Sequence, residues 1–515
     1  MLSVCWHFRR ENAVCCQVYE KRFSKPFLSC QVYEKMVQWT IFEWNSEVSR
    51  MREVSNYKTA GRFLGMVLAA VILILCRMMP IDGLSKQAMG TLGVLGATLC
   101  LLIFESFNIC VSCLLSSAML FAFGCVDSLG AAFSGYSNHV LYFTIASFGI
   151  SLAFQKSVIS RKLLGGIIRS DKLGTKAVTF IFMVCAAALS AIMSNVAAVV
   201  IFMPYAEGYL ECYRDKESRV RSRRSMMMCM VVAAMIGGMI TPAGSSMNLI
   251  CVDMLERYAG YRVRFVDWVA AGLPLAVIML VAAFIIITTV YPPAKLSEEE
   301  MKGYLQTIHE KKKMSGMDIY IGLLILGVLF TWIVSSWVPS IHITVTAIVG
   351  LALMFIPGHE VMTWEEFCSF ISWPTFFVAG TLISIASAVT STGLCDYFTG
   401  LLFPAGTGYT ENLAIFQIAV FTFILMAVLP SAPAVITILS PIIIQFAMKN
   451  GFSPVVLLMT CAFCVSNIYL FPLDAPLVVA YDRKAFGMFE LPRATIWIQL
   501  VMIGVVSLWM PVIYR

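Results

Sequence analysis

Long apolar runs separated by short polar segments recur along most of this chain. An α-helix needs roughly 20 predominantly apolar residues to cross a bilayer. Runs of that kind predict about eleven crossing helices, near residues 62–79, 88–104, 109–126, 139–156, 226–255, 268–290, 319–337, 341–356, 373–392, 453–480 and 494–513. The pattern therefore predicts an all-α polytopic membrane protein.

Two further apolar segments differ from these runs, because each has a small or polar interruption at its centre. The segment near 177–205 is interrupted at Ser194-Asn195, and the segment near 413–447 is interrupted at residues 430–433. Irregular backbone at membrane depth is tolerated only inside the protein or beside a water-filled cavity. We therefore predict that each segment is a re-entrant hairpin rather than a straight crossing.

The two hairpin segments align with each other without a gap, which indicates an internal repeat. Ser194 aligns with Ser431, and Pro204 aligns with Pro441. Each hairpin is also followed by a predicted crossing that contains a helix-breaking sequence partway along it. Because an odd number of crossings separates equivalent elements, the two halves are predicted to have opposite orientations.

Inverted repeats with broken helices at mid-membrane are typical of secondary transporters, whose substrate site lies between the repeats. In this chain the predicted broken helices are 226–255 in the first half and 453–480 in the second half. We therefore predict a tail, a first repeat, a cytoplasmic linker and a second repeat, at residues 1–60, 61–291, 292–317 and 318–515.

Composition and charge support this interpretation. Hydrophobic types make up 59% of the 515 residues and charged types 13%, which is too few charges for a soluble surface of this size. The formal net charge is +7, but the basic residues lie in short loops, where they act as topology determinants. We expect a multi-pass protein of the cell membrane, in contact with the lipid bilayer, with a cytoplasmic N-terminus and no nucleic-acid partner.

The first 60 residues are polar and mixed in charge, and residues 16–21 recur as residues 30–35. They contain no apolar core of a signal peptide. We expect a poorly structured cytoplasmic tail, with Met36 and Met51 as alternative starts of the chain.

The sequence predicts neither a resident metal nor an enzyme. The 17 cysteines are scattered, and the five histidines form no HxxxH pair. No His-Glu-x-x-His motif occurs, and no Gly-x-Ser-x-Gly surrounds the intramembrane serines. We expect no cofactor and no catalytic residues; sodium is the expected coupling ion.

The first half carries neutral oxygen and amide groups at its breaks. Ser190 and Ser194 are four residues apart and share a helix face, and Asn195 adds an acceptor and donors. With the close backbone approach that Gly244 permits and a further oxygen from Asn248, this set suits a sodium ion. The alternative is structural, because serine and asparagine in membrane helices often pair with neighbouring helices, and Thr241-Pro242 is also explained as a simple kink.

Asp474 is the most unusual residue of the second half, where it aligns with Gly244 in an apolar context. Ionisable residues at membrane depth are functional candidates by default, so Asp474 is a candidate ligand for a cation or a proton. The alternative places it near the cytoplasmic end, paired with Arg483 or Lys484. Three other acidic residues lie nearer the ends of predicted crossings and are expected to be solvated: Glu105, Asp127 and Asp253.

Three motifs resemble those of the divalent anion:sodium symporter family. They are Ser194-Asn195-Val196, Gly-Gly-x-x-Thr-Pro-x-Gly-x-x-x-Asn at residues 237–248, and Phe-x-Asp-Trp with a following Gly-Leu-Pro at residues 265–274. The family contains dicarboxylate, citrate and sulfate carriers, and the resemblance spans residues 62–513. It implies a homodimer and an elevator-type motion of the domain that bears the hairpins.

The resemblance also implies site residues, because the family carries Ser-Asn-Thr at both hairpin tips. Here the first tip has valine in place of threonine, and the second tip keeps only its serine. The implied substrate contacts are Ser194, Asn195, Val196, Thr241, Pro242, Ser431, Ala432, Pro433, Ala475 and Pro476. The implied sodium ligands are Ser190, Ser194, Asn195, Gly244, Asn248 and Asp474.

The resulting hypothesis is a secondary active transporter of a small anion, with a di- or tricarboxylate as the expected substrate, driven by sodium symport or by anion exchange. The alternative is a cation/proton antiporter of the wider ion-transporter superfamily, in which Asp474 carries the proton. A channel and a membrane-embedded enzyme are less favoured, because the sequence shows no ring-like charge pattern and no catalytic motif.

Overall fold

The computed structural model of the chain describes residues 59–79, 81–159, 162, 168, 172–309, 314–338, 340–402, 410–429, 431–471 and 474–513. The predicted cytoplasmic tail lies outside the described residues, except for its last two positions. Residues 65–515 form one compact unit, and residues 1–64 form a separate one. The described residues of the separate unit, 59–64, begin the first helix.

Within the described ranges every regular element is a helix, as the apolar pattern predicts. In chain order the helices are α1 (Thr59–Met78), α2 (Lys86–Ile103), α3 (Ile109–Ala122), α4 (His139–Lys156), α5 (Thr175–Ser190), α6 (Asn195–Glu211), α7 (Lys216–Gly238), α8 (Ser246–Ala259), α9 (Phe265–Val290), α10 (Glu298–His309), α11 (Gly316–Val334), α12 (Ile343–Leu353), α13 (Trp364–Phe370), α14 (Trp373–Ser391), α15 (Leu394–Leu402), α16 (Glu411–Val428), α17 (Ala432–Asn450), α18 (Pro454–Val465), α19 (Ala475–Asp482) and α20 (Glu490–Ile513). Short helical turns at Leu129–Ala132 and Ser134–Ser137 lead into α4.

Seven of the described helices are long and apolar enough to cross a membrane by length and composition, namely α1, α2, α9, α11, α14, α17 and α20. Shorter apolar helices include α3, α5, α12, α16 and α18. The all-α prediction is confirmed for the described residues. The number of eleven crossings and the two re-entrant hairpins stay predictions.

The helices are interrupted near all four predicted breaks. The first hairpin segment consists of α5 and α6, separated by residues 191–194. In the second, α16 ends at Val428 and α17 begins at Ala432. In the second broken crossing, α18 ends at Val465 and α19 begins at Ala475. The helix predicted at 226–255 is divided into α7 and α8 by a short 3-10 turn, Pro242–Gly244. A proline lacks the backbone N–H that would continue a helix, which explains why α7 cannot extend through this position.

The first half is built around α7, whose residues from Ser225 to Gly238 are all buried. This helix packs against α5, α6 and α9. The contact with α5 is so close that a Cβ atom at Gly237 would lie 2.2 Å from the carbonyl oxygen of Ala187. Only glycine fits at that point, so the packing fixes the position of the first hairpin against the first broken crossing.

The broken elements of the two halves also pack against each other. Helix α8 of the first half contacts α17 and α18 of the second half, and α19 contacts α6 and α7. Helix α14 packs against α17 and also against α3, which lies outside the hairpin segments. This packing brings the four interruptions into one region of the compact unit.

Candidate functional site

A cavity of about 540 Å³ lies where the four interruptions meet. This volume lies within the range of about 300–1,000 Å³ that is usual for small-molecule sites. Each interruption contributes to its wall, and the sequence-predicted residues that line it are Ser194, Asn195, Val196, Gly244, Ser431, Ala432, Pro433, Asp474, Ala475 and Pro476.

The first hairpin tip is organised by a hydrogen bond between two of the predicted residues. The Oγ atom of Ser190, at the end of α5, donates to Oδ1 of Asn195, at the start of α6, over 2.7 Å. Ser190 is fully buried, whereas Ser194 and Asn195 are half-buried on the cavity wall. The side chain of Ser194 does not cap α6, so the first backbone N–H groups of that helix receive no cap from it.

Thr241 holds the first broken crossing in shape. Its Oγ1 atom donates to the carbonyl oxygen of Ala191 over 2.5 Å and accepts a hydrogen bond from the backbone N–H of Gly244 over 3.1 Å. Pro242 follows as the buried first residue of the 3-10 turn. Neither Thr241 nor Pro242 lines the cavity. The hydroxyl therefore links the first hairpin to the first broken crossing at a position outside the cavity lining.

Asn248 organises the same break from α8. Its Nδ2 atom donates to the carbonyl oxygens of Gly238 and Thr241, each over 2.8 Å. The side chain is fully buried and lies outside the cavity lining. A buried carbonyl without a partner is costly, so these two bonds stabilise the interrupted end of α7.

Several oxygen atoms lie close to Gly244 and Gly238. A Cβ atom built on Gly244 would lie 2.5 Å from the carbonyl oxygen of Gly238 and 2.9 Å from that of Ser190, and one on Gly238 would lie 2.3 Å from Oδ1 of Asn195. Neutral carbonyl and amide oxygens are the ligands that hard cations prefer. This first-half cluster is the part of the site whose chemistry suits a sodium ion. The described residues contain no group of three or more His, Cys, Asp or Glu side chains arranged for a metal ion.

The second hairpin tip offers fewer polar groups. The backbone N–H of Ser431 donates to the carbonyl oxygen of Leu429 over 2.7 Å, and its side chain does not cap α17. Ala432 brings no side-chain donor, and Pro433 has no backbone N–H. The two tips therefore present different chemistry to the same cavity.

Asp474 lies on the cavity wall, half-buried, at the start of α19. Its Oδ1 atom accepts a hydrogen bond from the backbone N–H of Ala475 over 2.8 Å. Arg483, one of the two partners considered from sequence, instead pairs with Glu207, with Nη1 and Oε2 3.2 Å apart. Asp474 is the only charged side chain among the described lining residues.

Sequence reasoning missed polar residues that line the cavity from outside the four breaks. Thr144, Ser147 and Gln155 belong to α4, and Ser372 and Thr375 lie at the start of α14. Spacings of three and eleven residues from Thr144 place all three α4 residues on one helical face. That polar face within an apolar run is the signal that the sequence offers for them.

The expectation of solvated acidic residues near the crossing ends is correct for two of three. Glu105 and Asp127 are exposed, but the side chain of Asp253 is only 2% exposed. Its Oδ2 atom accepts a hydrogen bond from Nδ2 of Asn138, and its Oδ1 atom accepts one from Nε of Arg257. These donors replace water around the carboxylate and explain its burial.

Comparison with known families decides what kind of protein carries this cavity. Residues 60–514 match the transmembrane region of the sodium:sulfate symporters. This chain belongs to the sodium:sulfate symporter family. The resemblance to divalent anion:sodium symporters is thereby confirmed, and the chain is a multi-pass membrane transporter of an anion-carrying family.

Two curated relatives and one solved structure are similar to this chain over most of its length. The L-tartrate/succinate antiporter of Escherichia coli K12 is 24% identical over 413 residues, which cover 75% of this chain and 81% of that protein. A protein described only as a membrane protein, from Cupriavidus necator, is 22% identical over 479 residues, covering 86% and 91%. MtrF of Neisseria gonorrhoeae, from a class of antimetabolite efflux pumps, superposes with a TM-score of 0.53 at 11% identity, covering 87% of this chain and 94% of that one, and this likeness shows a shared fold alone.

Proposed function

We propose that this chain is a secondary active transporter of a small carboxylate anion, with di- and tricarboxylates as the first class to test. The observation that carries the proposal is the cavity of about 540 Å³ at the meeting point of four helix interruptions. Family membership supports an anion as the substrate, and the similarity to an L-tartrate/succinate antiporter supports a carboxylate.

In the proposed site, the amide of Asn195 and the N-terminal backbone donors of α6 hold a carboxylate. The partial positive charge at a helix N-terminus favours an anion there. The rest of the surface that faces the substrate consists of Ser194, Val196, Ser431, Ala432, Pro433, Ala475 and Pro476. Thr241 and Pro242 contribute to the proposed site because they fix the shape of the first broken crossing.

A sodium ion is proposed in the oxygen cluster of the first half. Its proposed ligands come from Ser190, Ser194 and Asn195, and Gly244, which has no side chain, leaves the neighbouring oxygens exposed. Asn248 orients the carbonyl groups of Gly238 and Thr241. Asp474 is the corresponding cation ligand of the second half. Neutral oxygens allow the ion to bind and leave during each transport cycle, which a coupling ion must do.

The proposed mechanism is an elevator-type alternation in a homodimer. The contacts of α8 with α17 and α18, and of α19 with α6 and α7, support movement of the two hairpins and two broken crossings as one body. The proposed topology has eleven crossings, two re-entrant hairpins and a cytoplasmic N-terminus. The antiporter relative makes exchange of one anion for another the first coupling mode to test, ahead of sodium symport.

Uptake into proteoliposomes tests the function. Labelled succinate, malate, citrate and sulfate are supplied with and without an inward sodium gradient, and then with each unlabelled anion trapped inside. Uptake stimulated by trapped anion supports exchange, and uptake driven by sodium alone supports symport. If none of these anions enters the vesicles above the level of empty liposomes, the proposed function is wrong.

Asn195→Ala tests the site. We expect it to abolish uptake while the protein remains folded in the membrane. Asn450→Ala is the matched control, because Asn450 ends the second hairpin segment and its Nδ2 atom bonds only the carbonyl oxygen of Phe446 among the described contacts. Uptake by Asn195→Ala at the level of this control contradicts the assignment.

A cation antiporter remains the second candidate function, because the only charged side chain among the described lining residues is the carboxylate of Asp474. Such a protein moves sodium across the vesicle membrane in the absence of any organic anion. Sodium flux that is unchanged by carboxylates, and lost in Asp474→Ala, favours this candidate over the carboxylate transporter.

A further inference from the structure

The wall of the cavity has two parts that differ in how they take part in the proposed movement. One part comes from the two hairpins and the two broken crossings, which together form the proposed moving body. The other part comes from α4 and the start of α14, which lie outside that body. A substrate that travels with the moving body therefore contacts the second part in one state of the transport cycle and leaves it in the other.

The end of α4 is bonded to helices outside the moving body. The Nζ atom of Lys156 donates a hydrogen bond to Oε2 of Glu366 in α13. The backbone N–H of Val158, just beyond the helix, donates to Oδ1 of Asp318 in α11 over 2.8 Å. Gln155 precedes Lys156 directly, so it lies on a segment that is held by α11 and α13 rather than by the hairpins.

Gln155 is also the side chain of this second wall whose polar groups are free among the described residues. The hydroxyls of Thr144 and Ser147 each donate to a carbonyl oxygen of their own helix, and those of Ser372 and Thr375 bond each other over 2.7 Å. The half-buried amide of Gln155 lines the cavity, and no hydrogen bond joins it to any described residue. A side-chain amide offers two N–H donors, which suit the oxygen atoms of an anion.

The cavity reaches the surface of the protein near this amide. Helix α13, which is bonded to the end of α4, directly precedes α14, and Pro374 in the first turn of α14 is exposed and lines the cavity. At the opposite end of α4, Asn138 and Asp253 are buried, bonded to each other over 2.8 Å, and outside the lining. Gln155 therefore lies at the end where an anion enters or leaves the cavity in this conformation.

The proposed topology places this end of the cavity on the cytoplasmic side. The sequence from the end of α4 to the start of α5 is rich in basic residues, namely Lys156, Arg161, Lys162, Arg169, Lys172 and Lys176. Such residues concentrate in the cytoplasmic loops of membrane proteins. The conformation described here is thus the one in which the site faces the cytoplasm.

We propose that the amide of Gln155 donates a hydrogen bond to the transported anion on the cytoplasmic side only, and that this contact is lost when the moving body carries the anion outward. The inference rests on the proposed transport function and adds a side-specific substrate contact to it. Gln155 lies about 24 Å from the start of α4 along the helix axis, at 1.5 Å per residue. Hairpin tips that move towards that start therefore take the anion out of reach of the amide.

Membrane vesicles of the two orientations test this inference. Inverted vesicles present the cytoplasmic face to the medium, and right-side-out vesicles present the outer face. The probe is whichever of labelled succinate, malate, citrate or sulfate the wild type takes up best, and the measured quantity is its half-saturating concentration. For Gln155→Met, which keeps the length of the side chain and removes the amide, we expect a rise of roughly fivefold to tenfold in inverted vesicles and less than about twofold in right-side-out vesicles.

Two further variants separate the contact from a general effect on α4. Gln155→Glu places a negative charge at the same point, and like-charge repulsion is expected to raise the half-saturating concentration in inverted vesicles further than Gln155→Met does. Ser151→Ala is the matched control. Ser151 precedes Gln155 by one helical turn, lies outside the lining, and its Oγ atom donates to the carbonyl oxygen of Ser147 over 2.8 Å. We expect wild-type values for Ser151→Ala in both orientations.

The outcomes separate this inference from the function on which it rests. If the wild type takes up none of the four anions, the proposed function itself fails. If the wild type transports but Gln155→Met changes the half-saturating concentration equally in both orientations, only in right-side-out vesicles, or in neither, the transporter stands and the one-sided contact is overturned. Should Gln155→Met fail to reach the membrane, Gln155→Glu is measured in the two orientations and decides by the same criterion.

Discussion

A Cβ atom at Gly238 would lie 2.3 Å from the Oδ1 atom of Asn195. The same oxygen accepts a hydrogen bond from Oγ of Ser190 over 2.7 Å. The amide of Asn195 is therefore held between α5 and α7, and its position depends on the absence of a side chain at Gly238. This contact makes the geometry of the first tip testable without altering any polar group.

Gly238→Ala is expected to displace the Asn195 amide and to lower the affinity for substrate several-fold to about tenfold, the equivalent of one lost hydrogen bond. The affinity is measured as the substrate concentration that gives half-maximal uptake. Gly208→Ala is the control, because a Cβ atom at Gly208 in α6 would meet no heavy atom within 4 Å. Equal affinities in the two variants would contradict a role for this contact.

Thr241 is expected to act through its hydroxyl. Thr241→Val keeps the shape but leaves the buried carbonyl oxygen of Ala191 without its donor, and such a loss lowers the free energy of unfolding by about 1–3 kcal/mol. Thr241→Ser restores the hydroxyl and is expected to recover most of the stability. Thermal unfolding in detergent measures both.

If the valine and serine variants unfold at the same temperature as the wild type, the bond between Thr241 and Ala191 does not stabilise the break. If the valine variant is stable but inactive, the hydroxyl contacts the substrate instead. The two measurements, stability and uptake, thus distinguish a positioning role from direct contact.

The sequence was sufficient to locate the interruptions and insufficient to assign each side chain to its partner. A polar pair such as Ser194-Asn195 in an apolar run predicts a break, because exposed backbone at that depth needs a cavity. The partner of Thr241 is a carbonyl 50 residues away in the chain, and local sequence carries no signal for it. Likewise the place of Asp253 near the end of a predicted crossing indicates solvent exposure, and local sequence carries no signal for its donor Asn138, which lies 115 residues away.

The polar residues of α4 that line the cavity carry only an ambiguous signal in the sequence. Thr144 and Ser147 share a face of an apolar helix, but each hydroxyl also bonds a carbonyl oxygen, of Val140 or of Thr144 respectively. Serine and threonine commonly make such bonds in membrane helices. Periodicity alone therefore does not separate a cavity-facing hydroxyl from one that serves its own helix.

Replacing Asn248 by a charged residue of the same size is expected to destabilise the protein more than shortening its side chain. Asn248→Ala removes the two hydrogen bonds that Nδ2 donates to the carbonyl oxygens of Gly238 and Thr241, and the longer one that Oδ1 accepts from Oγ of Ser466 over 3.5 Å. It is expected to lower the free energy of unfolding by about 1–3 kcal/mol. Asn248→Asp places an acceptor against two acceptors and is expected to be worse still. A higher unfolding temperature for Asn248→Asp than for Asn248→Ala would contradict this arrangement.

Asp253 is expected to be important for stability although it lies outside the cavity. Its buried carboxylate accepts bonds from Nδ2 of Asn138 at 2.8 Å and from Nε of Arg257 at 2.9 Å, so it joins α8 to the start of α4. Asp253→Asn keeps the shape but puts an N–H₂ group against one of the two donors, and leaving a buried donor unpaired is expected to lower the free energy of unfolding by about 1–3 kcal/mol.

Asp267→Asn is the matched control for that variant. Asp267 pairs with Arg264, with Oδ1 and Nη2 2.7 Å apart, but the arginine is 56% exposed and water replaces the lost partner. We expect little change in thermal unfolding for Asp267→Asn and a clear decrease for Asp253→Asn. Equal effects would mean that burial of Asp253 does not determine its contribution, and a decrease in the control alone would place the stabilising ion pair at the start of α9 instead.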